Sequence, residues 1–217
     1  AQVPGNAGVH PGHGYGVDDD LSFSGHVLFV SAPLAGVKQI PAIRALECET
    51  HMPRPDIAAK QKVEIEFWRD STSQSPGSDS VANLVNKMSD AQVFLDCLRR
   101  HRDRLPKSGR VLELGSGQGW AACIYKRMYP KAQLIVTDIS PHAVMSLPKW
   151  ERIFDVAVDK AYACKSYDIH EDDSSLDLVF CFAAAHHFLA HRRTLKEISR
   201  VLKPGGKAMY LYEPAAP

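Results

Sequence analysis

The stretch Val111–Gly119 (Val-Leu-Glu-Leu-Gly-Ser-Gly-Gln-Gly) constrains this chain more than any other. Val111–Leu114 reads as a buried strand, and Gly115, Gly117 and Gly119 crowd the turn that follows it. Glycine admits left-handed backbone and lets a ligand approach the main chain closely. Directly afterwards Trp120, Cys123, Ile124 and Met128 trace one helical face. A second strand, Leu134–Thr137, ends at Asp138, 23 residues after Gly115. In a right-handed strand-helix-strand unit the ends of adjacent strands face one ligand. Glycines beneath a ribose and its tail, with an acid accepting from both ribose hydroxyls, make a nucleoside site.

The alternation continues downstream. Ser140-Pro141 pairs an N-cap with proline at the first helical position. Ala161–Tyr167 is the expected third strand and Leu176–Phe182 the fourth. Leu195, Ile198 and Leu202 mark a helix stopped by Pro204-Gly205-Gly206, before a fifth strand at Ala208–Tyr212. This order predicts an α/β fold, a doubly wound and mostly parallel sheet with helices on both faces.

Upstream, residues 1–55 read as an irregular extension with one strand at His26–Ser31, and residues 56–109 as a helical lid or substrate segment ahead of a core at 110–217. A helix is expected from Asp56 to Trp68, and Ser71–Ser80 is a polar loop. Val81, Leu84, Val85 and Met88 share a helical face. Ser89 or Asp90 is expected to cap a further helix carrying Phe94, Cys97 and Leu98, which Pro106 and Gly109 end.

Two other patterns carry less. His10-Pro-Gly-His13 with Lys87-Met88-Ser89 echoes the paired motifs of class I aminoacyl-tRNA synthetases, but no strand precedes His10 and Asp90 follows Ser89 where a basic residue belongs. These read as a loop segment and a helix-end tripeptide. Arg99, Arg100, Arg102, Arg104, Lys107 and Arg110 form a basic cluster, read as a solvated helix end.

Composition narrows the partners. Lys plus Arg number 26 against 25 Asp plus Glu, a formal net charge of +1, so no global basic field exists to grip nucleic acid. The five cysteines include no C-x-x-C pair, which points to a reducing, cytoplasmic setting and away from a disulfide or zinc framework. No apolar run approaches the roughly 20 residues that span a bilayer.

The dinucleotide fingerprint G-x-G-x-x-G/A would place a small residue where Trp120 stands. The spacing present is G-x-G-x-G behind Glu113. Here the sequence resembles the class I S-adenosylmethionine (SAM)-dependent methyltransferases, over roughly residues 80–214. Residues 111–119 look like that family's first motif and Leu134–Ser140 like its second strand. Tyr167-Asp168-Ile169 looks like its adenine segment, and Leu176–Phe182 with Leu202–Gly206 like its fourth strand and the turn into the fifth.

The resemblance implies a Rossmann-like fold, SAM as cofactor, and roles for single residues. Gly115, Gly117 and Gly119 would line the methionine and ribose. Glu113 would hold the loop or the methionine ammonium, Asp138 the ribose hydroxyls, and Ile139 would pack on adenine. Asp168, with Ile169 beside it, would accept from the adenine amino group. The fourth strand ends in Ala183-Ala-Ala-His186-His187-Phe188, which in this family faces the transferable methyl. A base is needed only where the acceptor must lose a proton, so His186 or His187 is the candidate base for O- or C-methylation of a small molecule. No metal site is expected.

The family's sheet has seven strands, and this sequence supplies five in order. A fragment of a longer protein, an N-terminal strand filling the edge, or a second subunit of a homo-oligomer would each account for the difference; the fragment is the favoured expectation. The same shortfall keeps a non-catalytic nucleoside-binding module as the alternative to an enzyme. A nicotinamide-dependent oxidoreductase would need only the glycine turn and acid, and Trp120 argues against it.

Overall fold

The structure, a computed structural model, describes residues 27–31 and 56–213. Burial alternates along its strands and splits the core into two layers. Val111, Leu134, Val136, Leu178, Phe180, Phe182, Met209 and Leu211 face one side of the sheet. Leu112, Leu114, Ile135, Val179 and Ala208 face the other. Strands buried on both faces read as continuous apolar runs, as Leu178–Phe182 does.

The chain runs β1 (Val27–Ser31), α1 (Ile57–Asp70), α2 (Val81–Arg100), β2 (Ser108–Leu114), α3 (Trp120–Met128), β3 (Lys131–Asp138), α4 (Pro141–Val144), α5 (Leu147–Phe154), β4 (Lys160–Ala163), β5 (Leu176–Phe182), α6 (His191–Val201) and β6 (Leu202–Leu211). A single 3-10 turn, Ala185–His187, follows β5. The six strands lie in the order β1-β6-β5-β2-β3-β4. β6, β5, β2, β3 and β4 are mutually parallel, and β1 is antiparallel to β6. Residues of α2, α3 and α5 fill one face, and Ile198 and Val201 of α6 the other. Strand order reverses between β2 and β5, so their C-terminal ends open a crevice where parallel sheets bind ligands.

Several expectations shift. α2 is one unbroken helix: Ser80 caps it, while Ser89 Oγ bonds back to the Val85 carbonyl at 3.3 Å and starts no new helix. Lys87-Met88-Ser89 therefore sits mid-helix, and its His10–His13 counterpart lies outside the described residues. Of the stripe expected on one face, Val81, Val85 and Met88 are exposed and only Leu84 packs on the core. β4 ends at Ala163, short of Tyr167. β6 begins at Leu202 rather than Ala208, because Pro204-Gly205-Gly206 lies in an irregularity: Leu202 pairs with Leu176 and pairing resumes at Lys207 with Leu178. A bulge is where a sheet tolerates proline. The edge beside β6 is covered by β1, in register from Val27↔Leu211 to Ser31↔Lys207.

Candidate functional site

Gly115, Gly117 and Gly119 all take positive φ, +73°, +54° and +82°. Close approach adds a second demand. A Cβ on Gly115 would stand 2.9 Å from the Ala184 methyl, and one on Gly119 2.7 Å from Leu147 Cδ1. The Trp68 ring of α1 roofs Gly117, 3.0 Å from where its Cβ would be. Beneath this turn Trp120 opens α3 and packs edge-on against Phe94 and Phe182. The indole thus fills the space between α3, α2 and β5, where a dinucleotide fingerprint would need close helix–strand contact.

Two buried acids hold the turn. Glu113, 2% exposed, accepts from the Ala122 amide at 2.9 Å in the first turn of α3. Burial, with smaller repulsion from Asp138, pushes its carboxyl up to about 8. It does not line the cavity, and its carboxyl group faces the start of α3 instead. Asp138 accepts from the Gly117 amide at 2.8 Å through Oδ2 and from the Ser140 amide at 2.9 Å through Oδ1. Burial raises it to about 6 against those hydrogen bonds. A carboxylate has about four acceptor sites, so two such bonds leave capacity for ligand hydroxyls.

A cavity of about 460 Å³ opens over these groups, lined by the glycine turn, Asp138 and Ile139 at the end of β3, Cys164, Ser166, and Phe182–Ala184 at the end of β5. His186, His187 and Phe188 form a further wall. Lys60, Gln61, Val63, Glu64 and Trp68 of α1 and Lys87 and Asp90 of α2 close it from above. Gln118 clasps this roof to the turn: its amide donates to the Gln74 carbonyl at 2.8 Å and its oxygen accepts from buried Asn83 at 3.1 Å. Tyr167 ties the other side, accepting from Gln61 at 3.2 Å while the Arg193 guanidinium lies 3.9 Å over its ring. Burial lifts the Cys164 thiol to about 12, which keeps it protonated and unreactive at neutral pH.

Gly115, Gly117, Asp138, Ile139, His186 and His187 are thus brought to one space. Gly119 lies behind them at the start of α3. Asp168 and Ile169 are not brought there. Asp168 is exposed in a turn, and Ile169 is buried in the layer under α6, its amide donating to Glu197 at 3.0 Å. Ser166 is the polar side chain of that segment which reaches the lining. The sequence reading missed Gln118, whose position between two glycines was its one signal. It also missed Glu213, an acid just past the last strand. Among the described residues no group of three or more His, Cys, Asp and Glu could hold a metal ion.

Residues 112–210 match the family model described as a methyltransferase domain. A fission yeast (Schizosaccharomyces pombe) protein described as an uncharacterized methyltransferase-like protein is 37% identical over 97 residues, 45% of this chain and 35% of that one. A malonyl-[acyl-carrier protein] O-methyltransferase of Nitrosospira multiformis is 29% identical over 114 residues, 46% of this chain and 37% of that one. The chain thus spans little more than a third of the length of these relatives. In fold it is similar to the geranyl diphosphate C-methyltransferase of Streptomyces coelicolor A3(2), solved with Mg2+, geranyl diphosphate and S-adenosyl-L-homocysteine. That match has a TM-score of 0.54 and 14% identity, and covers 75% of this chain and 65% of that one. Fold, glycine turn and family match agree in marking residues 112–210 as a methyltransferase domain of the class I SAM-dependent kind. The cofactor of that class is SAM. The residues here fit it: a cradle no Cβ could enter, and a buried acid with spare acceptor capacity at the neighbouring strand end.

Proposed function

We propose that this chain transfers a methyl group from SAM to a small acceptor, at an oxygen or carbon that gives up a proton. One observation carries the reading: a single cavity joins the glycine turn and Asp138 to the histidine pair at the end of β5. Asp138 would hold the ribose hydroxyls, Ile139 would cover adenine, and the turn from Gly115 to Gly119 would carry the methionine end. When bound, SAM supplies a methyl on a sulfonium, already activated for in-line displacement. What the protein adds is orientation and, for a protonated acceptor, a base. His186 or His187 takes that proton.

The cavity's volume lies within the roughly 300–1,000 Å³ of small-molecule pockets. Its roof mixes Lys60 and Lys87 with Glu64 and Asp90, which does not suit a polyanion. Among the described residues no helix is long and apolar enough to cross a membrane. Cys97, Cys123, Cys164 and Cys181 are free and buried, which supports placing the chain in the reducing cytoplasm.

Isothermal titration with SAM, then a radiolabelled methyl-SAM assay over small hydroxyl and acidic-carbon compounds, tests the reading. Asp138→Asn keeps the side-chain shape and is expected to weaken SAM about tenfold, one charge-assisted hydrogen bond's worth. A folded sample that binds no SAM sinks the proposal, and SAM binding without transfer to any acceptor favours the non-catalytic module.

A further inference from the structure

Past the paired ends of β5 and β6 the backbone turns left-handed twice, at Ala183 (φ +48°) and Tyr212 (φ +55°). Neither is glycine, and such a turn costs about 1–2 kcal/mol in a residue with a Cβ. The Phe182 and Tyr212 rings stack across this point, centroids 5.3 Å apart and 6° from parallel. The double turn brings Glu213 under the 3-10 turn that carries the histidines. Its Oε1 accepts from the Ala184 amide at 3.0 Å and the Ala185 amide at 2.9 Å. Its Oε2 accepts from the His186 amide at 3.1 Å and meets His186 Nδ1 at 2.9 Å. Among the described residues His187 has no such partner: its Nδ1 stands 3.8 Å from Glu64, beyond hydrogen-bond reach.

We propose that Glu213 is a positioning residue that holds the His186 ring with its proton on Nδ1 and so leaves the Nε2 lone pair for the acceptor's proton. The assignment rests on the methyl-transfer reading above and selects His186 over His187 within it. Burial would raise the Glu213 carboxyl, but the amides of Ala185, Ala184 and His186 and the His186 ring outweigh it and keep it below the usual range. An ionised carboxylate can only accept, so the ring nitrogen facing it must carry the hydrogen. In the reaction the acceptor's O–H or C–H bond breaks and its proton goes to Nε2. The electron pair stays on the acceptor atom and would form the bond to the methyl as the methyl–sulfur bond of bound SAM broke, its pair leaving on sulfur as the neutral thioether S-adenosylhomocysteine. The imidazolium shares its Nδ1 proton with Glu213 until it releases the Nε2 proton to water.

Nitrogen-15 NMR of the imidazoles tests this directly in the unmutated protein, without SAM or acceptor. His186 is expected as the Nδ1–H tautomer. Diethyl pyrocarbonate, which acylates unprotonated ring nitrogen, supplies the second readout, with peptide mapping to locate the product. Glu213→Gln presents an amide N–H where Oε2 stood and moves the ring proton to Nε2. Acylation of His186 is expected to slow about tenfold, the weight of one charge-assisted hydrogen bond, while other histidines react as before. An Nε2–H tautomer in the native chain overturns the proposal even if Glu213→Gln fails to fold. So does an unchanged acylation rate in a folded variant. Neither readout depends on methyl transfer, so failure to bind SAM would remove the functional reading and leave this result standing.

Discussion

Glu113 shows what a buried carboxyl does before any cofactor arrives. Its folded value near 8 stands above an ordinary 4.5, chiefly through burial. Between those values the folded chain holds a proton that the unfolded chain has lost. Stability from this group is therefore complete below about pH 4.5 and drains away as pH rises toward 8. Asp138, raised to about 6 from 3.8, adds a smaller drain that ends earlier. Glu113→Gln keeps an acceptor for the Ala122 amide without a charge to bury. The variant is expected to match the parent near pH 5 and to exceed it by a few kcal/mol above pH 8. Urea unfolding across pH 5–9 measures this, and parallel curves for the two proteins would refute it. The residue types were legible in sequence, because an acid behind a glycine turn and an acid after the next strand are local patterns. Asp168 stands exposed outside the cavity, and the direction of the turn that carries it is not a local sequence pattern. Glu213 was invisible because its partners lie 27 to 29 positions away and meet it through two left-handed turns.

At the scale of elements, β5 and β3 were readable because apolar runs bounded by turn residues are short-range signals. The unbroken α2 was not: Ser89 and Asp90 look like a cap, but the helix runs on from Val81 to Arg100 and the Ser89 hydroxyl bonds back to Val85 within it. Residues 56–109 were expected as a helical lid, but the hold of α1 and α2 on the core was not legible, since it passes through side chains. Gln118 is the chief of these, bonded to the Gln74 carbonyl and to Asn83, which is 6% exposed. Gln118→Ala leaves the Asn83 amide without its partner in a buried place. We expect a loss of about 1–3 kcal/mol and faster amide exchange through residues 71–83, with β2 and β3 amides unaffected. Hydrogen–deuterium exchange resolves the two regions. Equal acceleration in both would mean the roof and the sheet open as one unit.

For the whole molecule the open question in the sequence was the sheet's edge, and β1 answers it for the described residues by pairing antiparallel along β6. An exposed β6 would present a row of unsatisfied amides and carbonyls beside a parallel core, which invites edge-to-edge association. β6 is also the strand whose far end delivers Glu213 to the histidine turn. Cover at this edge and geometry at the site are therefore linked through one strand. A chain beginning at residue 56 removes β1 and leaves α1 and everything after it intact. It is expected to lose exchange protection at the β6 amides between Lys207 and Leu211 that face outward, and to show concentration-dependent association in sedimentation velocity. Diethyl pyrocarbonate labelling of His186 in the same sample reports whether the disturbance reaches the turn. Monomeric behaviour with β6 protection unchanged would mean that β1 does not stabilise the edge it covers.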